Sequence, residues 1–118
     1  MITVLKSKIQ TAVITAASKE YNGSITIDED LMDAAGLYQW EKVEINARDK
    51  KVRVKTYVIK GERGTRCIEA NGGLAQYFEV GDIVHILSYK DVEQIDYPNY
   101  NPLVVISYDS ENIIFGDK

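Results

Sequence analysis

The sequence predicts a mainly β fold, a small barrel or sandwich. Three observations predict it. Runs rich in Ile, Val and Thr recur along the chain, turn signals separate most of them, and only two short segments have helical character. The 118 residues suit one domain, large enough for a core and too small for two.

The first strand is expected over residues 9–16, and the β pattern resumes over 24–27 after Asn22-Gly23. Asp28 suits the N-cap of a helix over 29–35, with Glu29 in the first turn where the helix dipole favours negative charge. Leu31, Met32, Ala35 and Leu37 give its apolar side, and Gly36 its stop. Alternation marks strands over 43–46 and 52–59. In the latter, Arg53, Lys55, Tyr57 and Ile59 share one face, while Val52, Val54, Thr56 and Val58 form the face expected to be buried. A second helix is expected over 73–78, entered from Asn71-Gly72, and Glu79-Val80-Gly81-Asp82 turns the chain into a strand over 83–89. Residues 97–102 hold both prolines and read as a turn or loop. Apolar, β-branched runs over 103–108 and 113–115 complete six or seven strands.

Composition narrows the function. A net charge of −4 with scattered basic residues gives no support to a nucleic-acid partner. No stretch approaches the ~20 apolar residues of a membrane span, and the start of the chain lacks the apolar run of a signal peptide. The cytoplasm is therefore the expected location, and the glycosylation pattern at Asn22-Gly23-Ser24 carries no weight. One cysteine, Cys67, excludes an internal disulfide and a cysteine-rich zinc site, and reads as a small buried residue. The lone histidine, His85, lies inside an apolar strand and reads as a satisfied core or edge residue. No metal site and no Ser–His–acid hydrolase are expected.

The chemistry concentrates at Tyr21-Asn22-Gly23-Ser24. A serine hydroxyl following a glycine carbonyl can attack it if a turn holds the atoms together. The peptide becomes an ester, elimination breaks the chain, and Ser24 is left as a ketone-bearing pyruvoyl group. Gly23 lacks the Cβ that would obstruct this approach. Asn-Gly between strands is also the commonest short hairpin signal, so an ordinary turn remains the competing reading. Arg53 can grip a carboxylate bidentately and Tyr57 can deliver a proton, or both can simply occupy a solvated strand face. Thr56 points the opposite way in a regular strand, so Thr56 and Tyr57 serve one site only if the strand distorts or two sites exist. Asn71-Gly72-Gly73-Leu74 can offer bare backbone N–H groups to an anion, or merely start a helix. Lys8 is a further cation just before a strand. Trp40 is expected to anchor a contact between subunits.

Taken in order, these pieces resemble the pyruvoyl-dependent L-aspartate 1-decarboxylase family. The matching segments are Leu5-Lys6-Ser7-Lys8-Ile9, Tyr21-Asn22-Gly23-Ser24, Ile27-Asp28 and Leu31-Met32-Asp33-Ala34-Ala35-Gly36. They continue with Thr56-Tyr57-Val58-Ile59, Glu62-Arg63-Gly64, Asn71-Gly72 and Val80-Gly81-Asp82-Ile83-Val84. The resemblance implies a six-stranded double-psi β-barrel with short helices, assembled as a homotetramer with active sites between subunits. It implies self-cleavage into residues 1–23 and 24–118, with a covalent pyruvoyl cofactor derived from Ser24, and conversion of L-aspartate to β-alanine and carbon dioxide for pantothenate biosynthesis. A maturation factor is a possible further partner. By the same resemblance, Thr56 helps processing and substrate placement, Tyr57 donates the proton, and Tyr21 packs beside the cleavage point. Lys8 and Arg53 would hold substrate carboxylates, with Asn71, Gly72, Gly73 and Leu74 lining the pocket. The chain departs from the family's usual pattern at Gln10, where histidine is common, and at Asn46, where an aromatic or aliphatic residue is frequent. It also carries Gly72-Gly73-Leu74-Ala75-Gln76 in place of a more alanine-rich run ending in a basic residue. A non-enzymatic binding barrel and a pyruvoyl decarboxylase for glutamate are the alternatives.

Overall fold

The computed structural model describes residues 1–20, 22–108 and 112–117. Among the described residues, nine strands form one hydrogen-bonded succession, with one α-helix. They are β1 (Ile2–Val13), β2 (Ala16–Ser18), β3 (Ser24–Asp28), β4 (Lys42–Ala47), β5 (Arg53–Gly61), β6 (Ile68–Asn71), β7 (Ile83–Val92), β8 (Leu103–Tyr108) and β9 (Ile113–Asp117), with α1 (Glu29–Ala35) after β3. Their spatial order is β2-β6-β3-β5-β4-β7-β1-β8-β9. β1 pairs with β8, β2 with β6 and β3 with β5 in parallel; the other neighbours are antiparallel.

The mainly β expectation holds, with two strands beyond those expected and several longer ones. β1 starts at Ile2 because its first residues pair with an equally extended β7, as in Thr3 with Asp91 and Leu5 with Tyr89. The Thr3 hydroxyl donates to the Asp91 carboxylate at 2.6 Å. β6 was not expected at all. The second helix is a 3₁₀ turn, Gly72–Gln76, since two glycines at its start give an α-helix little support. Another 3₁₀ turn, Gln94–Asn99, occupies much of the expected loop and contains Pro98.

Alternation decides which side chains meet in the core. Ile45 and Val43 of β4 and Val84 and Ile86 of β7 are buried, as are Ile9 of β1 and Val58 of β5. Each such aliphatic contributes about 1.5–3 kcal/mol by leaving water. Cys67 is also buried, and burial pushes its thiol pKa up, which makes it a poor nucleophile. The intervening residues face outward, so Lys8, Glu44, Asn46, Arg53, Lys55 and His85 share the sheet's outer face.

Helix α1 has the ends expected of it. Asp28 accepts from Asp30 N at 2.8 Å, and Gly36 closes the helix in the left-handed conformation at φ 65°. The Asp28 carboxylate also receives Gly64 N at 3.1 Å and Arg66 N at 2.6 Å, joining the helix to the loop before β6. Arg63 of that loop pairs with Glu29, Asp30 and Asp33. Asp28 is 2% exposed, so Asp28→Ala strands three backbone donors. The expected loss is about 3 kcal/mol in urea unfolding of the unprocessed Ser24→Ala chain, and a loss below about 1 kcal/mol would contradict this role.

Candidate active site

Ser24 opens β3, directly opposite Asn71 at the end of β6. This pairing refutes the ordinary-hairpin reading of Asn22-Gly23. The flanking strands β2 and β3 are not bonded to each other; both lie against β6. Gly23 lies outside the left-handed region, and a Cβ there would meet nothing closer than Gly73 N at 3.9 Å. Neither backbone conformation nor packing therefore demands glycine at this position.

Ser24 is 5% exposed and its hydroxyl is held on two sides. The Asn71 amide donates to Ser24 Oγ at 3.0 Å and also to Thr26 Oγ1 at 2.9 Å. Ser24 Oγ in turn donates to Asn22 O at 3.3 Å, which points the hydroxyl back along the segment containing Gly23. Gly23, Thr56, Gly73 and Leu74 line one hollow of about 270 Å³, together with Val54, Lys55, Gln76 and Tyr77. The parallel register of β3 and β5 begins with Ile25 opposite Val58; two residues back along each chain, Gly23 falls level with Thr56. Gly72 is buried beside this hollow with φ 61°, where glycine avoids a Cβ clash.

Lys8, Arg53 and Tyr57 stand elsewhere. Tyr57 stacks on Trp40 with ring centroids 5.6 Å apart and an interplanar angle of 29°. Arg53 is largely exposed and pairs with Glu44 at 3.6 Å. Lys8 lies opposite Leu87 on β7, outside the hollow that Gly23 and Thr56 line. Thus Thr56 and Tyr57 face opposite ways, as strand alternation requires. Ser24, Thr56, Asn71 and the Gly72-Gly73 backbone lie together, while Lys8, Arg53 and Tyr57 lie on the opposite face in three different cross-strand rows. Tyr21 lies outside the described residues.

His85 was not among the candidates, yet it sits on the same outer face as Arg53 and Lys8. Its Nδ1 accepts the Thr11 N–H at 3.0 Å. Burial lowers its pKa, and the Lys8 and Arg48 charges add to that effect. The usable signal was its cross-strand neighbour Asn46, already notable as a polar departure.

Fold and site together define a small mainly β protein that buries a serine behind a glycine, beside a hollow lined by backbone and hydroxyl groups. The chain belongs to the aspartate decarboxylase family, whose model matches residues 1–114. It is 47% identical over 114 residues to the aspartate 1-decarboxylase of Phocaeicola vulgatus, covering 97% of this chain and 98% of that one. It is 45% identical over 118 residues to the aspartate 1-decarboxylase of Caldicellulosiruptor bescii, covering 99% and 92%. The aspartate 1-decarboxylase of Acetivibrio thermocellus is 44% identical over 113 residues, with 96% and 90% covered.

Proposed function

We propose that this chain cleaves itself between Gly23 and Ser24 and then converts L-aspartate to β-alanine and carbon dioxide, supplying pantothenate biosynthesis in the cytoplasm. The observation that carries the reading is the buried Ser24 hydroxyl, held by Asn71 beside a glycine that neither fold nor packing requires.

In processing, Ser24 Oγ adds to the Gly23 carbonyl carbon and the Gly23–Ser24 C–N bond breaks, giving an ester and a free amine. Loss of the Ser24 α-proton then breaks the Cβ–O bond and releases residues 1–23 with a Gly23 carboxylate. Water replaces nitrogen in the remaining enamine, ammonia leaves, and residues 24–118 begin with a pyruvoyl group. Asn71 orients the attacking oxygen, and the Thr56 hydroxyl assists at the Gly23 carbonyl, a role supported by the hollow that Thr56 and Gly23 share.

The residues around Ser24 fit the group so formed. Asn71 Nδ2 already donates at residue 24, where a ketone oxygen would need a hydrogen-bond donor, and Gly73 and Leu74 border the hollow beside Gly23. When present, the group supplies a ketone and an adjoining amide carbonyl that accept the electron pair released with carbon dioxide. Arg53 and Lys8 orient the substrate through its carboxylates. Tyr57 returns a proton to the former α-carbon.

Because Tyr57 and Thr56 face opposite ways, Lys8, Arg53 and Tyr57 of one subunit complete the Ser24 site of a neighbour. The proposed assembly is a homotetramer, supported by the exposed aromatic surface of Tyr38 and Trp40, which are 71% and 66% exposed. A six-stranded double-psi closure is part of the same proposal, supported by the parallel pairs β1–β8 and β3–β5.

Carbon dioxide release from purified, processed protein tests the activity across acidic amino acids. L-aspartate is expected to be the preferred substrate. Preference for L-glutamate would change the substrate assignment, and no release from either would leave the binding-barrel alternative.

A further inference from the structure

Three antiparallel cross-strand positions line up on the outer face: Arg53 opposite Asn46, and Asn46 opposite His85. On the far side of His85, β1 bulges between Ile9 and Ala12, so Gln10 and Thr11 together face the histidine. The bulge leaves the Thr11 N–H without a strand partner, and His85 Nδ1 accepts it. An imidazole nitrogen that accepts a backbone N–H has no proton of its own. The neutral ring therefore carries its proton on Nε2.

Lys8 lies one step along β1 from core residue Ile9, on this outer face, and its charge reaches His85. Besides the Nε2–H donor, this outer face carries Arg53, Lys8 and Lys55 with Glu44 paired to Arg53, and the Arg48 charge also reaches His85. Asn46 stands between Arg53 and His85 and leaves Oδ1 buried without a partner. A buried amide end without a hydrogen bond costs stability, so a hydrogen-bonding group from water or a ligand is expected beside it. A half-turn of the amide exchanges Oδ1 and Nδ2, so the same spot can serve an anion or an ammonium.

We propose that His85 contacts the substrate, donating from Nε2 to a carboxylate gripped by Arg53, with the Asn46 amide closing the gap between them. This rests on the reading that Arg53 and Lys8 hold carboxylates. It adds a contact that selects for a dicarboxylate without taking part in self-cleavage, whose roles fall to Ser24, Asn71 and Thr56. The imidazole stays neutral in this role, as burial and the two adjacent cations require.

His85 is the chain's one histidine, so its ring signals need no assignment by mutation. The test is ¹⁵N-histidine NMR of the processed wild-type protein during titration with succinate, a dicarboxylate with no amine to react. Nε2 is expected to be the protonated nitrogen and to shift saturably, in step with calorimetric binding. In parallel, His85→Gln should raise KM for L-aspartate about tenfold with a smaller change in kcat, while residues 1–23 are released as in wild type. Ring signals unmoved at saturating succinate, absence of succinate binding, or a proton on Nδ1 would overturn the proposal. Carbon dioxide release by the wild type is scored separately. A succinate-responsive ring in a protein that releases none would retire the decarboxylase reading and leave the carboxylate site standing.

Discussion

Arg53→Ala is expected to cut kcat/KM for L-aspartate while leaving self-cleavage unchanged. Arg53 lies at the start of β5 on the face opposite to Thr56, away from the Ser24 hydroxyl and its Asn71 partner. In the described chain it makes only the Glu44 pair, at 3.6 Å with its side chain 72% exposed, so its stabilising value to the fold is small. In the proposed mechanism its value to catalysis comes with the substrate, when a neighbouring subunit and a bound dicarboxylate would remove water from the guanidinium. Deleting one partner of such a desolvated charge pair costs about 2–5 kcal/mol. At about 1.4 kcal/mol per factor of ten, this is on the order of 30- to 4,000-fold in turnover efficiency. Steady-state carbon dioxide release, normalised to the processed fraction, measures it. Arg53→Lys should recover only part of the loss, because an ammonium cannot make the two parallel bonds of a guanidinium. A change within twofold for Arg53→Ala would remove this residue from the mechanism.

Ser24→Ala should have the larger effect, a loss of all measurable turnover together with an uncut chain. The alanine methyl has no oxygen to attack Gly23, so no ester forms and no elimination can lead to the ketone. The fold should tolerate the change, since Ser24 sits at the first position of β3 and its main-chain pairing with Asn71 survives. The cost is one hydrogen bond from Asn71, which keeps its second bond to Thr26 Oγ1 at 2.9 Å. Circular dichroism and oligomeric state should match those of the wild type. Residual turnover in this variant, free of wild-type contamination, would contradict a residue-24 cofactor.

Much of the architecture was legible because it depends on short-range rules. Asp28, Glu29 and Gly36 mark both ends of α1 without reference to the rest of the chain. The period-2 pattern of β5 assigned Thr56 and Tyr57 to opposite faces, and that separation supports the proposed site shared between chains. Strand β6 escaped because Ile68-Glu69-Ala70-Asn71 is short, includes three weak β formers and follows a charged turn. Its partners β2, β3 and the Ser24–Asn71 contact come from distant parts of the chain. For the same reason Asn22-Gly23 looked like a hairpin. The dipeptide permits one, but β6 inserts between the two strands and each gains its ladder there. His85 was passed over because a histidine within Ile83-Val84-His85-Ile86-Leu87 reads as core. Strand alternation placed it outward, but only the β4 register showed that Asn46 and Arg53 lie in its row.

Denaturing mass spectrometry of the purified wild-type protein, paired with its carbon dioxide release, tests self-processing most directly. The expected spectrum of active protein contains residues 1–23 ending in a free carboxylate and residues 24–118 lighter than a serine-initiated chain by one ammonia. Full turnover by an uncut polypeptide that retains the Ser24 hydroxyl would contradict the account.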